Sequence, residues 1–343
     1  MHALAKLIGT FAFWAGMLVS AAQAQAVLGL QSEVTFTGSS PLAGNAEIVR
    51  RLFSPLTAEH IVQTLVQTGK TLSGQPVDPS QEKFTLYVPA QKPSKGYALI
   101  VFIPPWNEAK LPAGWASVLD QYGALFVSAA RSGNDANVIE RRVPLALLAA
   151  QNVMQRYTID PEHVYTAGFS GGARVALRLA LGYPDVFRGA LLQAGSDPVG
   201  TADLPLPPKD LFARFQETSR LVFMTGEDDS AALSADAASK TSLHKLCVFG
   251  VRTENIPDTA HALASGAAFS RGLNALFAPP ESDSGLAACR SSLNADLEAR
   301  FREVTTLLKD GKRAEAKDRL DAIDARYGGL AAPHSLELLT TLQ

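Results

Sequence analysis

The sequence predicts an α/β fold: a mostly parallel sheet with helices on both faces, plus a small helical appendage at the C-terminus. Two observations point there. From residue 84 to residue 277, short apolar runs alternate with longer stretches of helical period, the pattern of a sheet buried on both faces. Past a break at "APPESDSG", the period is helical only, with Asp310-Gly311 as a turn and a last helix after Pro333.

The elements follow in order. Lys6, an apolar run from Leu7 to Val19 and "SAAQAQA" make the three parts of a secretory signal peptide, with cleavage after Ala24 or Ala26. The run is shorter than the ~20 residues a spanning helix needs. This gives three expected regions: a signal peptide over 1–24, an α/β domain with its lead-in over 25–280 and a helical extension over 281–343. In the lead-in, "SEVTFTG" alternates like a short strand. "SPLTAEHIVQTLVQTG" reads as a helix capped by Thr57 and stopped by Gly69, with His60 in a surface or packing role. Strands are then expected at "FTLYVP", "YALIVFIP", "ALFVSAA", "HVYTAGFS", "GALLQAG", "RLVFMTG" and "VRTENIP". Helices are expected at "VPLALLAAQNVMQRY", with Pro144 in its first turn, and at "GGARVALRLALG", "DSAALSADAASKTSLHKL" and "ALASGAAFSRGLNALF".

A net charge of −2, with 19% charged residues of both signs dispersed, does not suggest a nucleic-acid or membrane-surface footprint. The two cysteines, Cys247 and Cys289, permit one bridge from the late core to the tail, or two separate buried thiols. No Cys/His cluster has zinc spacing, and neither metal nor organic cofactor is expected.

Chemistry concentrates at "VYTAGFSGGARVALRLA", Val164 to Ala180. G-x-S-x-G alone is a common pattern. Here it sits between a β-rich apolar run and a helix, the strand–turn–helix setting in which a serine is lifted above a sheet edge. Small neighbours tolerate the strained backbone, and Gly168, Gly171 and Gly172 supply them. The competing reading, a Gly-rich nucleotide loop, would want a P-loop lysine that "GFSGG" lacks. Ser170 is therefore the candidate nucleophile. A serine hydroxyl needs a base. In sheets that carry such an elbow, the chain order is serine, acid, histidine. Downstream, "RLVFMTGEDDS" offers Asp229, preferred by loop position over Asp228 and over Asp197 in "AGSDP". "IPDTAHALAS" places His261 in a loop after a strand. His163, at the wrong end of the nucleophile strand, His244, His334 and His2 are weaker candidates.

With these residues in view, the chain resembles the α/β-hydrolase superfamily. More narrowly, it is similar to secreted esterases related to polyhydroxybutyrate depolymerases and feruloyl esterases. The resemblance covers about residues 84–277, and "IDPEHVYTAGFSGG" is its most specific stretch. It implies a triad of Ser170, Asp229 and His261. One departure stands out. The strand "VFIP" should run into His-Gly, whose following N–H helps hold an oxyanion. Here the chain reads Pro104-Pro105-Trp106-Asn107, and proline has no N–H. The donors implied are then the N–H groups of Gly171 and Trp106, or the Asn107 side chain in place of Trp106. The loop "SAARSGNDANVIERR" is expected to border the pocket.

The expected activity is that of an exported serine hydrolase, secreted or periplasmic, cleaving small or polymeric carboxylic esters. A peptidase on the same fold is the alternative within enzymes. A non-catalytic hydrolase-fold binding protein with a degraded oxyanion site is the alternative outside them.

Overall fold

The apolar runs assemble into one eight-stranded sheet, β1-β2-β4-β3-β5-β6-β7-β8. The computed structural model describes residues 27–279 and 285–342; the expected signal peptide and most of the expected linker lie outside the described residues. The strands are β1 (Gly29–Val34), β2 (Phe84–Val88), β3 (Tyr97–Ile103), β4 (Ala124–Ala129), β5 (Ile159–Phe169), β6 (Gly189–Gln193), β7 (Arg220–Gly226) and β8 (Val251–Ile256). β2 runs antiparallel to both of its neighbours, β1 and β4, and the other pairs are parallel.

The helices are α1 (Asn45–Leu52), α2 (Pro55–Gln67), α3 (Ala116–Tyr122), α4 (Val143–Arg156), α5 (Gly171–Gly182), α6 (Lys209–Thr218), α7 (Ser230–Lys245), α8 (Gly266–Phe277), α9 (Leu286–Lys309), α10 (Arg313–Tyr327) and α11 (His334–Leu342). β3 shows why its sequence is an unbroken apolar run. Leu99, Val101 and Ile103 point into a core shared with α4 and α5. Ala98, Ile100 and Phe102 point into a second core under α3 and α8. Alternate residues serve opposite faces, and both faces are covered.

In register, Ile103 lies beside Gly168, Phe169 beside Gln193, Gln193 beside Met224 and Gly226 beside Ile256. The C-terminal ends of β3, β5, β6, β7 and β8 therefore share one edge, and the loops that leave them meet there. This is the edge at which open parallel sheets place their sites.

Several local expectations are corrected. α2 is capped at Ser54, not Thr57, because Pro55 suits the first turn and cannot donate. The Ser54 hydroxyl and the Leu56 N–H donate to Asp324 of α10, so the tail supplies this helix with its missing acceptor. α8 starts at Gly266, capped by Ser265, rather than at Ala262. The first strand is Gly29–Val34, earlier than its alternating stretch suggested. α1, α3 and α6 are additional.

The C-terminal extension comprises α9, α10 and α11. Its Leu297, Phe301, Leu320 and Tyr327 belong to the same buried cluster as β3 and α5. Arg290 of α9 donates to Gln216 Oε1 and Ala213 O on α6. Cys247 and Cys289 form a disulfide that fastens α9 to the segment after α7.

Candidate active site

β5 ends at Phe169, and the chain turns within one residue into α5. Ser170 takes φ 55° and ψ −123°, a region costly for a side-chain-bearing residue. Two close approaches compel the glycines around it. A Cβ on Gly172 would stand 1.9 Å from Ile103 O, and one on Gly168 would stand 2.4 Å from Gly172 backbone atoms. Ser170 N–H donates to Gln193 O at 2.8 Å, which ties the turn to β6.

Asp229 follows the end of β7. It is the N-cap of α7, with Oδ1 accepting from Ala232 N–H at 3.1 Å. Its other oxygen accepts from His261 Nδ1 at 2.6 Å. The imidazole sits in the loop after β8, half exposed, with its ring 5.0 Å from that of Phe169. His261 Nε2 lies 2.9 Å from Ser170 Oγ. With Asp229 ionised, Nδ1 carries the ring proton and Nε2 accepts from the serine hydroxyl. The structure thus brings Ser170, His261 and Asp229 into one hydrogen-bonded line.

The competing residues lie outside this line of contacts. Asp228 is exposed, and Asp197 pairs with Arg174 at 3.3 Å. His163 pairs with Asp160, while His244 and His334 lie against Phe249 and Phe301. The small cleft beside the serine, about 140 Å³, is walled by Arg174, Ala194, Ala231 and Ala235.

Of the expected oxyanion donors, Gly171 N–H opens α5 and Trp106 N–H lies in the loop after β3. Neither makes a hydrogen bond to the protein among the described residues. The Asn107 side chain is engaged elsewhere: Oδ1 accepts from Gly133 N–H at 3.1 Å, and Nδ2 donates to Asp135 at 3.1 Å. It serves as a loop clasp.

Behind Asp229 lies a carboxylate that sequence reasoning missed. Asp236, buried on α7, accepts from Ser196 and Thr225 hydroxyls, both at 2.6 Å. Burial raises its pKa above the usual carboxylate value, against the pull of those two hydroxyls. It pins α7 to the ends of β6 and β7. An acid in the middle of an alanine-rich helix gave no sequence signal for this.

A parallel sheet flanked by helices, one antiparallel strand near its edge and a serine, acid and histidine in that chain order at the strand ends decide the architecture. The chain folds as an α/β-hydrolase. No family model matches it. Within this α/β-hydrolase chain, 98 residues are 35% identical to a poly(3-hydroxybutyrate) depolymerase of Ralstonia pickettii, a match over 24% of the chain. A stretch of 53 residues is 45% identical to NocK of Nocardia uniformis subsp. tsuyamanensis, which carries an esterase name, a match over 16% of the chain. The chain spans 20% and 13% of the length of these two curated relatives. Among solved structures, S-formylglutathione hydrolase of Staphylococcus aureus is similar at a TM-score of 0.45 and 12% identity, over 57% of this chain and 91% of that one.

Proposed function

We propose that this protein is an exported serine hydrolase that cleaves carboxylic esters through an acyl-enzyme. The observation that carries the reading is the line of contacts from Ser170 Oγ to His261 to Asp229. Ser170 Oγ attacks the ester carbonyl carbon while its proton passes to His261 Nε2. Asp229 holds the ring and stabilises the imidazolium. The carbonyl oxygen, now anionic, is held by the N–H groups of Gly171 and Trp106. Collapse breaks the bond to the leaving alcohol, which takes the proton from Nε2. Water then attacks the acyl group with His261 as base, releasing the acid and restoring Ser170.

Similarity to an esterase and to a polyester depolymerase favours esters as the substrate class. The narrow alanine-walled cleft suits a short group beside the reacting carbonyl. Export is supported by the n-region, h-region and small-residue sequence at the N-terminus. The Cys247–Cys289 bridge agrees with an oxidising compartment.

The test is kinetic, on exported protein whose N-terminus is expected at Gln25 or Val27. Wild type is expected to hydrolyse short p-nitrophenyl esters. Ser170→Ala and His261→Ala should each lower kcat by ~10⁴-fold or more. Retention of most activity in both variants would overturn the assignment.

A further inference from the structure

Three arginines leave the 131–142 segment, and they are treated differently. Arg131 and Arg141 both reach Glu82, at 2.8 Å and 2.7 Å, so two exposed or half-buried cations share one buried carboxylate. Arg142 turns inward. Only 3% of its surface is exposed, and it forms no ion pair among the described residues. Its guanidinium donates instead to two carbonyls, Pro104 O and Ser132 O, each at 3.0 Å. Burial pushes its pKa down to about 10, with only Asp135 pulling the other way. Burying a charge without a counter-ion is costly. Fold stability alone gives no reason to keep one there.

The place it holds supplies the reason. Pro104 and Pro105 have no N–H, so the loop leading to Trp106 cannot fix itself with its own backbone donors over those residues. It is fixed from outside, through its carbonyls. Pro104 O accepts from Arg142, Pro105 O from Asn134 N–H at 3.1 Å and Asn107 O from Arg131 N–H at 2.7 Å. Asn107 closes the same seam with its side chain to Gly133 and Asp135. The seam abuts the elbow: a Cβ on Gly172 would lie 3.2 Å from the Pro104 carbonyl carbon, and one on Gly171 would lie 2.2 Å from Asn134 Oδ1. A turn of π-helix, Val138–Arg142, leads into α4 at this point. Such turns occur often at functional sites.

We propose that Arg142 is a positioning residue for the oxyanion loop: by gripping Pro104 O and Ser132 O together, its buried guanidinium sets the Trp106 N–H opposite Gly171. It takes over the role of the backbone donors that the double proline removes. The idea rests on the acyl-enzyme reading above. Preorganised donors of this kind act on the transition state far more than on bound substrate. Disturbing them should therefore lower kcat and leave KM nearly alone.

The experiment compares wild type, Arg142→Met and Arg142→Lys as full chains on a p-nitrophenyl ester. A trifluoromethyl ketone serves as probe, because its hemiketal oxygen takes the oxyanion position. Arg142→Met is expected to lose ~10²-fold in kcat. KM should stay within about twofold, and the ketone should bind more weakly by the factor lost in kcat/KM. Arg142→Lys, which keeps the charge and donates from one nitrogen, should fall between the two. Thermal unfolding shows whether each variant is folded at the assay temperature. If Arg142→Met is not, the Lys variant carries the test by the same kcat and ketone readings. The proposal is overturned if the folded variants keep wild-type kcat, or if the loss appears in KM with ketone affinity intact. An inactive wild type would defeat the acyl-enzyme reading itself, a result separable from both.

Discussion

The edge of the sheet at Ser170 and the layer formed by the lead-in and the tail are built from similar parts for opposite ends. Both use a carboxylate at a helix N-terminus. At the edge, Asp229 caps its own helix with one oxygen and spends the other on His261. At the back, Asp324 of α10 gives both oxygens to the N-terminus of α2, so its whole capacity serves structure. Both regions also contain networks of charge. Glu47 and Asp185 both pair with Arg51, which lies over the ring of Tyr183, and Arg50 also pairs with Glu47. Arg142, at the loop that follows β3, has carbonyls only. The contrast is in how two buried cations are satisfied: Arg51 in the supporting layer has two carboxylates, while Arg142 beside the loop that leads to Trp106 has carbonyl oxygens alone.

That contrast can be broken from either side. The largest effect is expected at the edge. Asp229→Asn keeps the size of the side chain and an acceptor for Ala232 N–H. It favours the wrong imidazole tautomer and should lower kcat by ~10⁴-fold. Its thermal midpoint should move by only a few degrees. A variant that loses stability and keeps its rate would place Asp229 with Asp324 among the structural caps.

A smaller effect is expected at the back, on stability alone, and it should fade as pH falls. Hydrogen bonds from Arg50, joined by Arg51 and opposed by partial burial, hold the pKa of Glu47 down to about 2. A carboxyl whose folded pKa is depressed contributes stability that is fully present above its unfolded value. The contribution is lost as pH falls towards the folded one. Glu47→Gln should therefore melt below wild type near pH 6, and the gap should close between about pH 4.5 and pH 2. Ester hydrolysis should not change. A constant gap across that range would mean that Glu47 acts through packing rather than charge.

How much of this was legible in the sequence follows from the kind of constraint involved. Backbone constraints leave marks. The glycines around Ser170 are demanded by contacts below van der Waals distance, and they single out that serine. β3, β4, β6, β7 and the Val164–Phe169 half of β5 stand out because strands covered on both faces are mostly apolar. His261 and Asp229 could be chosen from their loops, since strand ends bring those loops together. Side-chain constraints leave fewer marks. Nothing in "IERR" says that Arg142 turns inward while Arg141 turns out; that depends on where Pro104 O ends up. Ser54 and Thr57 are both good caps, and the choice between them was made by Pro55 and by Asp324, 270 residues on from Ser54. α6 carried a readable face in Leu211, Phe212 and Phe215, but a ten-residue helix between two loops gives a short pattern.

The central claim is that His261 makes the Ser170 hydroxyl reactive towards acyl carbon. The most direct measurement is labelling with a fluorophosphonate, followed by mass-spectrometric location of the adduct. Wild type should carry one adduct, on Ser170; His261→Ala should label far more slowly, and Ser170→Ala not at all. An unlabelled wild type, or an adduct that persists in Ser170→Ala, would contradict the account.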